Sequence, residues 1–378
     1  MKPDIGNYEY AARHQKARVL MEKNNLSALL ITEPTNLFYF TGASYFGEMS
    51  FPRPAVLIIP RKEKSILITH EFHLPIDWDG DIREYRKVGE MPIEIVKKAF
   101  EEIGCKMGQV GAELGREQRL GISYQDFLRV QDVLPAISFV DAADIFWQLR
   151  MVKSEAEIAI ITKACKMQDS IFKATFEAVE TGMTTQEIKN LFQRVIIESD
   201  ADFGWVIVCL GGYDSRQAAG SSQPDLRLKK NDLLWVDLGV VLNGYHTDYC
   251  RAMVPTGASS SQLEKWGKIH KILEAGVEAT IAGIPSSDLY RALVDTAEKL
   301  NIDMTSWPAQ RFGHGSGLHT TEPPYISLDD DTILEPGMIL HIEPGCIEKD
   351  GIYVLEEQVL VTDSGSKVLS HAPWNLQA

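Results

Sequence analysis

The sequence predicts a two-domain α/β protein, and three observations lead to this expectation. The chain has 378 residues, which is more than one domain of ordinary size requires. In its first part, short apolar runs alternate with amphipathic helical segments, as in a small α/β domain. In its second part, two pairs of helical segments are each followed by an acidic hairpin. We therefore expect one domain at residues 1–145 and another at residues 153–378.

Hydrophobic periodicity and turn residues define the elements of the first domain. A helix is expected near the start of the chain, and the aromatic segment EPTNLFYFTG is expected to form a turn region that ends at Gly42. Strands and helices then alternate. The predicted elements are helix 8–24, strand 27–32, strands 54–60 and 65–69, helix 93–104, strand GQVGAEL, helix YQDFLRVQDVL and strand AISFVD.

Helix-capping residues define the start of the second domain. Ser154 is the expected N-cap of a helix over 155–180. Two further helices are expected to begin with capping boxes. In a capping box the side chain of the N-cap residue binds the backbone N–H three residues later, and the side chain of that later residue binds the backbone N–H of the N-cap. These boxes are Thr184-x-x-Glu187 and Ser261-x-x-Glu264, and the later helices are expected over 262–277 and 286–300.

Charge and cysteine content exclude several classes of protein. The net charge of −15 argues against a nucleic-acid partner or an anionic membrane surface, since both attract basic proteins. The five cysteines are scattered and form no CxxC pair, so a disulfide framework and a thiolate zinc site are not expected. The first residues lack the apolar core of a signal peptide, and no apolar run approaches the ~20 residues of a membrane span. We expect a cytoplasmic protein.

The stretch WVDLGVVLNGYHTDYCRA predicts a β-hairpin that turns at its Asn-Gly pair. A two-residue turn places Asp237 opposite Cys250, and Asp248 lies two residues before Cys250. Because side chains alternate faces along a strand, both carboxylates then point to one side of the ribbon. Two like charges on one face are destabilising unless a cation lies between them. The hairpin alone leaves two alternatives, a metal site or two solvent-facing acids.

A second acidic pair repeats this arrangement near the end of the chain. Glu343 in LHIEPG and Glu356 in YVLEEQVLVT are an odd number of positions apart, so an even-length loop places them on one face. Between the hairpins lies His314, whose glycine neighbours allow close backbone approach to a buried site. Four carboxylates and one imidazole suit Mn²⁺, Co²⁺, Fe²⁺ or Zn²⁺. Because four anionic ligands exceed what one divalent ion needs, we expect two ions a few ångströms apart.

This spacing resembles the prolidase/aminopeptidase P/creatinase superfamily. The resemblance extends over nearly the whole chain, since NLFYFTG and the Arg-Pro pair after it are similar to that family's N-terminal domain. It implies a creatinase-like N-terminal α/β domain and a C-terminal pita-bread domain with a dinuclear metal centre, in which Asp248 and Glu356 bridge the two metals. The implied ligands are Asp237 in Asp-x-Gly, Asp248 in Gly-Tyr-x-Thr-Asp-x-x-Arg, His314 in Gly-His-Gly-x-Gly, Glu343 in Ile-Glu-Pro-Gly and Glu356 before Val-Leu-Val-Thr.

Two histidines that accompany the metals in peptidases of this superfamily are absent. One ordinarily lies seventeen residues before the first ligand aspartate, where this chain has Gly220. The other lies seven residues after the ligand histidine, where this chain has Thr321. In the peptidases these imidazoles bind the scissile carbonyl and the developing oxyanion, and losing one such donor typically costs about 10²–10³-fold in rate. The departure suggests a different reaction on the same metals.

Polar residues of two loops are candidates to replace these histidines. Asp214, in the Gly/Ser-rich loop, is a candidate for proton transfer. His319 shares a strand face with position 321 and is a candidate catalytic imidazole, with a rim histidine as the alternative. Arginines bind carboxylates bidentately, although each could instead form a structural ion pair. The candidate substrate-binding residues are Arg216, Arg311, Thr321 and, across a dimer interface, Arg53.

These features predict a dinuclear-metal-dependent hydrolase that resembles Xaa-Pro dipeptidases and aminopeptidases. A metal-bridging water would cleave a C–N bond of a small carboxylate-bearing substrate, and Glu343 would accept its proton, following the family. One alternative is a metal-dependent lyase, in which Asp214 abstracts a proton beside a carboxylate. Another is an inactive binding homologue. The expected partners are a small-molecule or dipeptide substrate and a second copy of the chain in a homodimer.

Overall fold

The computed structural model describes residues 5–43, 53–70, 78–211, 225–307 and 309–376. The chain divides into two units, of which the first ends at Arg150 and the second begins at Met151. None of the described helices is long and apolar enough to cross a membrane.

The first unit contains a six-stranded mixed sheet in the order β4-β3-β2-β1-β5-β6. Strand β1 is parallel to β5, β5 to β6 and β3 to β4, whereas β2 is antiparallel to both of its neighbours. Strands β1, β2 and β3 are buried along their whole length, which explains their continuous apolar sequences. The elements are α1 Asn7–Lys23, β1 Ala28–Ile31, α2 Pro34–Thr41, β2 Val56–Pro60, β3 Ile66–His70, β4 Asp81–Tyr85, α3 Ile93–Glu102, β5 Gly108–Ala112, α4 Tyr124–Val133, β6 Ile137–Asp141 and α5 Ala143–Met151.

The predicted turn region in EPTNLFYFTG is wrong, because this segment forms helix α2. The Glu33 side chain accepts a hydrogen bond from the backbone N–H of Asn36 and so caps the helix, and Pro34 occupies its first turn. Gly42 ends the helix in the left-handed conformation, with φ of 69°. The aromatic residues therefore follow helical periodicity between two good capping residues. Strand β4 was not predicted, because its sequence DIREY is largely polar, as is common at the edge of a sheet.

A buried histidine makes the stability of this unit dependent on pH. His14 Nε2 donates to the Phe40 carbonyl at 3.0 Å, and its Nδ1 lies 2.8 Å from the Ser65 hydroxyl. Burial lowers the pKa of His14 to about 4, so the folded state stays neutral where an unfolded histidine takes up a proton. Unfolding is therefore favoured as the pH falls from 6.5 towards 4. Between pH 6.5 and pH 4, the protonation of His14 in the unfolded state is expected to lower the free energy of unfolding by about 3 kcal/mol.

The measurement is urea unfolding of the wild-type protein and the His14→Gln variant between pH 4 and pH 8. The difference between their unfolding free energies is expected to shrink or reverse below pH 6.5, because glutamine takes up no proton. His371→Gln is the control, since His371 is exposed. A difference that stays constant across this pH range would contradict the assignment.

The second unit combines four long helices with three sheets in the described part of the chain. One sheet has the order β10-β8-β7 with β9 paired to β8, another the order β12-β11-β13-β16-β17, and β14 pairs with β15. A short 3₁₀ helix covers Met304–Ser306. The elements are α6 Glu155–Phe176, α7 Thr185–Glu198, β7 Phe203–Leu210, β8 Leu234–Leu242, β9 Tyr245–His246, β10 Tyr249–Met253, α8 Ser260–Ala279, α9 Ser286–Lys299, β11 Gly313–Gly315, β12 Glu322–Tyr325, β13 Ile339–Ile342, β14 Gly345–Ile347, β15 Ile352–Val354, β16 Glu357–Thr362 and β17 Gly365–Val368.

Capping residues start three of these helices. The predicted caps at Ser154 and Thr184 are confirmed, and each forms a complete capping box. The predicted box at Ser261 is wrong, because α8 is capped by Ser259 with Gln262 at the third position. Glutamine reaches the N-cap backbone N–H as glutamate does, so either serine satisfied the sequence pattern.

The core of the second unit lies where the two long helices α8 and α9 pack on the sheets. Trp266 and Ile269 of α8 and Leu293 of α9 are buried in one cluster with strand residues from both acidic hairpins. That packing fixes the strands that carry the acidic side chains.

Candidate metal centre

The first hairpin has the register that its Asn-Gly turn predicted. Leu242 pairs with Tyr245, so Asn243 and Gly244 form a two-residue turn, and both have positive φ, 49° and 79°. Strand β10 continues the pairing with Cys250 opposite Asp237. The carboxylates of residues 237 and 248 therefore share one face of the ribbon.

The second hairpin brings its two glutamates directly opposite each other. Gly345 pairs with Val354 on one side of them, and Ile342 pairs with Glu357 on the other. The same register joins both pairs, which places Glu343 across from Glu356. Residues 348–351 form the intervening loop, closed by a hydrogen bond of 2.9 Å from the residue 348 N–H to the residue 351 carbonyl. The loop has the even length that the sequence interpretation required.

His314 lies on the short strand β11 and faces both acidic pairs. Its Nδ1 is 2.9 Å from the Gly315 carbonyl, so this nitrogen carries the proton. Its Nε2 lies 3.5 Å from Asp248 Oδ2 and 3.9 Å from Glu343 Oε1. A backbone acceptor on one ring nitrogen leaves the other free to bind a metal, which is the usual arrangement of a ligand histidine.

Three buried carboxylate oxygens support the metal interpretation. Asp237 Oδ1, Asp248 Oδ1 and Glu356 Oε1 are buried and have no hydrogen-bond partner among the described residues. Buried polar atoms without a partner are rare, because leaving water without compensation is unfavourable. Divalent cations bound at this cluster would supply partners for these oxygens. The donor set therefore fits the metal centre that the sequence predicts.

Burial and mutual repulsion raise the pKa values of the four carboxyl groups. Burial raises the pKa of Asp237 to about 6 and that of Glu343 to about 7. The pKa values of Asp248 and Glu356 lie well above their usual range, first through burial and then through the neighbouring carboxylates. Burial lowers the pKa of His314 to about 3, which keeps the imidazole neutral and able to act as a ligand. Metal binding is therefore expected to release protons.

Arg311 lies beside the carboxylate predicted to transfer a proton. Its Nη1 donates to Glu343 Oε1 at 2.8 Å, and the guanidinium counters the rise in the pKa of Glu343. Its carbon Cζ lies 5.7 Å from the centre of the Tyr325 ring. The Arg311 side chain is 25% exposed, so part of it faces solvent.

The remaining predicted residues lie in different settings. His319 is partly exposed, with Nδ1 3.8 Å from Glu322 Oε1, and Thr321 is exposed in the same loop. Arg53 belongs to the first unit and is partly buried. Asp214 and Arg216 lie outside the described residues, as does Gly220.

The sequence interpretation missed His341, which lies on β13. One of its ring nitrogens and one oxygen each of Asp248 and Glu356 lie within 4.8 Å of one another. The signal was present in the sequence, because residue 341 is two positions before Glu343 and so shares its strand face.

Comparisons with known proteins show the family of the chain. The model of metallopeptidase family M24 matches residues 159–363, and that of the creatinase/prolidase N-terminal domain matches residues 13–152. The chain is 28% identical to a Xaa-Pro dipeptidase of Pyrococcus horikoshii over 93% of this chain and 94% of that protein. It is 26% identical to a Xaa-Pro dipeptidase of Pyrococcus furiosus over 95% of this chain and 97% of that protein.

Solved structures show the same fold. The prolidase from Pyrococcus horikoshii has a TM-score of 0.80 at 24% identity, covering 97% of this chain and 99% of that one. A dipeptidase from Mycobacterium ulcerans has a TM-score of 0.83 at 23% identity, covering 99% of this chain and all (100%) of that one. These similarities confirm the predicted combination of a creatinase-like N-terminal domain with a pita-bread domain.

Proposed function

The chain belongs to metallopeptidase family M24, a family of metal-dependent hydrolases, and on that premise we propose that it hydrolyses small dipeptide-like substrates at a dinuclear centre. The observation that carries this proposal is the five-residue donor set with its three buried, unpartnered carboxylate oxygens. The names of the Pyrococcus relatives support a dipeptide with proline in the second position. The same comparisons do not favour a lyase or an inactive binding homologue.

The residues that would hold the cations lie on the two hairpins and on β11. When bound, divalent cations lower the pKa of a coordinated water and polarise a carbonyl group. Four carboxylates carry more negative charge than one divalent cation neutralises, which supports two sites. Mn²⁺, Co²⁺, Fe²⁺ and Zn²⁺ all suit the ligand set. The proposed ligands are Asp237, Asp248, His314, Glu343 and Glu356.

Two residues are proposed to handle the proton and the substrate carboxylate. Glu343 takes up the proton released during hydrolysis, and Arg311 limits the rise of its pKa. Arg311 also has donors left over for the substrate carboxylate, because one of its five N–H groups is used on Glu343. His319 and Thr321 are proposed to line the substrate side of the site, and Asp214 and Arg216 stay predictions. The homodimer, with Arg53 completing the site of the partner, is likewise a prediction to be tested by light scattering.

Metal analysis and dipeptide assays test the proposal. Purified protein reconstituted with Mn²⁺ or Co²⁺ is expected to hold two equivalents of metal per chain and to hydrolyse Xaa-Pro dipeptides slowly. One equivalent or less would overturn the dinuclear centre. Two equivalents without hydrolysis of any Xaa-Pro, Xaa-Ala or Xaa-Gly dipeptide would overturn the substrate class and leave the metal centre standing.

Substitution of Arg311 is expected to weaken recognition of the substrate carboxylate. The Arg311→Gln variant should lower kcat/KM for a free dipeptide about 10- to 100-fold more than for the corresponding dipeptide amide, since a hydrogen bond between charged groups contributes about 1.5–3 kcal/mol. Comparing the two substrates cancels any effect on Glu343, which both substrates share. Arg291→Gln is the matched control, because that arginine pairs with Asp288 at the surface. Equal losses for both substrates would show that Arg311 acts only through its ion pair with Glu343 and does not bind the substrate carboxylate.

A further inference from the structure

A buried histidine that is not one of the five proposed ligands faces the proposed metal centre. His341 is fully buried on β13, and its ring stacks on His314 at a centroid distance of 4.9 Å. Its Nδ1 lies 3.5 Å from Glu356 Oε1. Both atoms are buried, and apart from each other they have no side-chain partner within the described part of the chain, although the Asp248 backbone also approaches the imidazole. What Nδ1 does at this site depends on whether it carries the proton.

A chain of hydrogen bonds that starts at Cys165 determines which nitrogen of His341 carries the proton. Burial raises the pKa of the Cys165 thiol well above its usual range, so the sulfur carries a proton. Its Sγ donates to Gln358 Oε1 at 3.1 Å, which fixes the orientation of the amide. The amide nitrogen Nε2 consequently points away from Cys165, towards Ser316 Oγ at 3.4 Å and the His246 carbonyl at 3.5 Å.

Ser316 transmits this orientation to His341. The amide nitrogen Nε2 of Gln358 can only donate, so Ser316 Oγ accepts this hydrogen bond. The hydroxyl proton of Ser316 is then free to be donated to another acceptor. Among the described residues, the other neighbour of Ser316 Oγ is His341 Nε2 at 2.7 Å, so the hydroxyl donates to that nitrogen. Because Nε2 accepts this hydrogen bond, it carries no proton of its own. A neutral ring that accepts at Nε2 carries its proton on Nδ1, the nitrogen that faces Glu356.

We propose that His341 is a positioning residue of the metal centre, whose Nδ1–H donates to Glu356 Oε1 and fixes the orientation of that carboxylate. This inference rests on the proposed metal centre and deepens it. Outer hydrogen bonds of this kind orient ligand carboxylates, and their loss typically costs about 10–100-fold in metal affinity or activity. All residues of this hydrogen-bond chain are buried. They are Cys165, Gln358 and Ser316, which precede the histidine, and Glu356, which accepts its hydrogen bond.

A pair of variants separates donation from packing. Asparagine at position 341 can place its amide N–H where Nδ1–H lies, whereas leucine has nearly the same shape and no donor. The affinity for Zn²⁺, measured by competition with a chromogenic chelator, is expected to stay within about 3-fold of wild type in His341→Asn and to fall about 10- to 100-fold in His341→Leu. Equal affinities in all three proteins, or equal losses in both variants, would overturn the proposal.

The proton itself can be observed in the wild-type protein. In ¹⁵N-histidine-labelled, Zn²⁺-loaded protein, the ring-nitrogen shifts of His341 are expected to show protonated Nδ1 and unprotonated Nε2. The signals are assigned by their absence from His341→Asn, or by their shift in Ser316→Ala should that variant not fold. Protonated Nε2 with bare Nδ1 would overturn the proposal and make His341 a metal ligand. A wild-type protein that binds no Zn²⁺ would instead overturn the metal centre, whereas metal-free spectra would still report the tautomer.

Discussion

Replacing Glu356 with glutamine is expected to abolish tight metal binding and to lower the hydrolysis of Xaa-Pro dipeptides by more than about 100-fold. Loss of an outer hydrogen-bond partner already costs about 10–100-fold, so loss of a direct ligand must cost more. The carboxylate is placed for this role, because it is buried and lies across the second hairpin from Glu343. Metal content by mass spectrometry and kcat/KM for the dipeptide are the measurements.

The control for this variant lies at the tip of the same hairpin. Glu348 is partly exposed and pairs with Lys265, so Glu348→Gln makes the same chemical change away from the centre. That variant should keep wild-type metal content and activity. Thermal unfolding of the metal-free proteins provides a second check. Glu356→Gln removes one of four clustered carboxylates, so its metal-free form should be at least as stable as metal-free wild type. A less stable variant would show that glutamine disrupts the fold, and normal metal content would exclude Glu356 as a ligand.

The acidic faces of the two hairpins were predictable because strand geometry has a period of two. Once the turn at Asn243 fixed the first loop at two residues, the shared face of Asp237 and Asp248 followed without knowledge of the rest of the fold. The second hairpin needed only an even loop between Glu343 and Glu356, and four residues satisfy that condition. Local pattern was therefore sufficient for both pairs.

Contacts between distant strands were not predictable in this way. Strand β11 lies beside β13, and this pairing brings His314 opposite His341. The same pairing carries Arg311 to Glu343, and no local pattern indicates which strands become neighbours. Arg311 was consequently predicted as a substrate ligand without its carboxylate partner, and His341 was missed although it shares a face with Glu343.

The misjudged helix α2 has a different cause. Its sequence contains aromatic residues that also suit strands and turns, and only its two ends identify it as a helix. The side chain of Glu33 and the left-handed Gly42 provide those ends, but glutamate is an uncommon N-cap. Tertiary packing stabilises the helical conformation of this segment, since Leu37 and Phe40 are buried in the first unit.

Introducing a histidine at position 321 is expected to raise the rate of Xaa-Pro hydrolysis roughly 10- to 100-fold. Peptidases of this superfamily have an imidazole at this position, seven residues after the ligand histidine, and one donor to the developing oxyanion contributes about 10²–10³-fold. The expected gain is smaller than that factor, because the loop around position 321 has a threonine in place of the imidazole. Thr321 is exposed, so the larger side chain replaces no buried contact.

The gain should appear in kcat with unchanged metal content, because an oxyanion donor acts on the transition state rather than on metal binding. Thr320→His is the matched control, since residue 320 lies next to position 321 and its hydroxyl is 3.0 Å from His246 Nδ1. That variant should gain nothing and should lose this hydrogen bond. If Thr321→His binds metal normally and its kcat does not rise, the missing imidazole does not limit the reaction. The substrate would then have to be sought among small amides or carboxylates other than Xaa-Pro dipeptides, on which the same centre acts without an imidazole at this position.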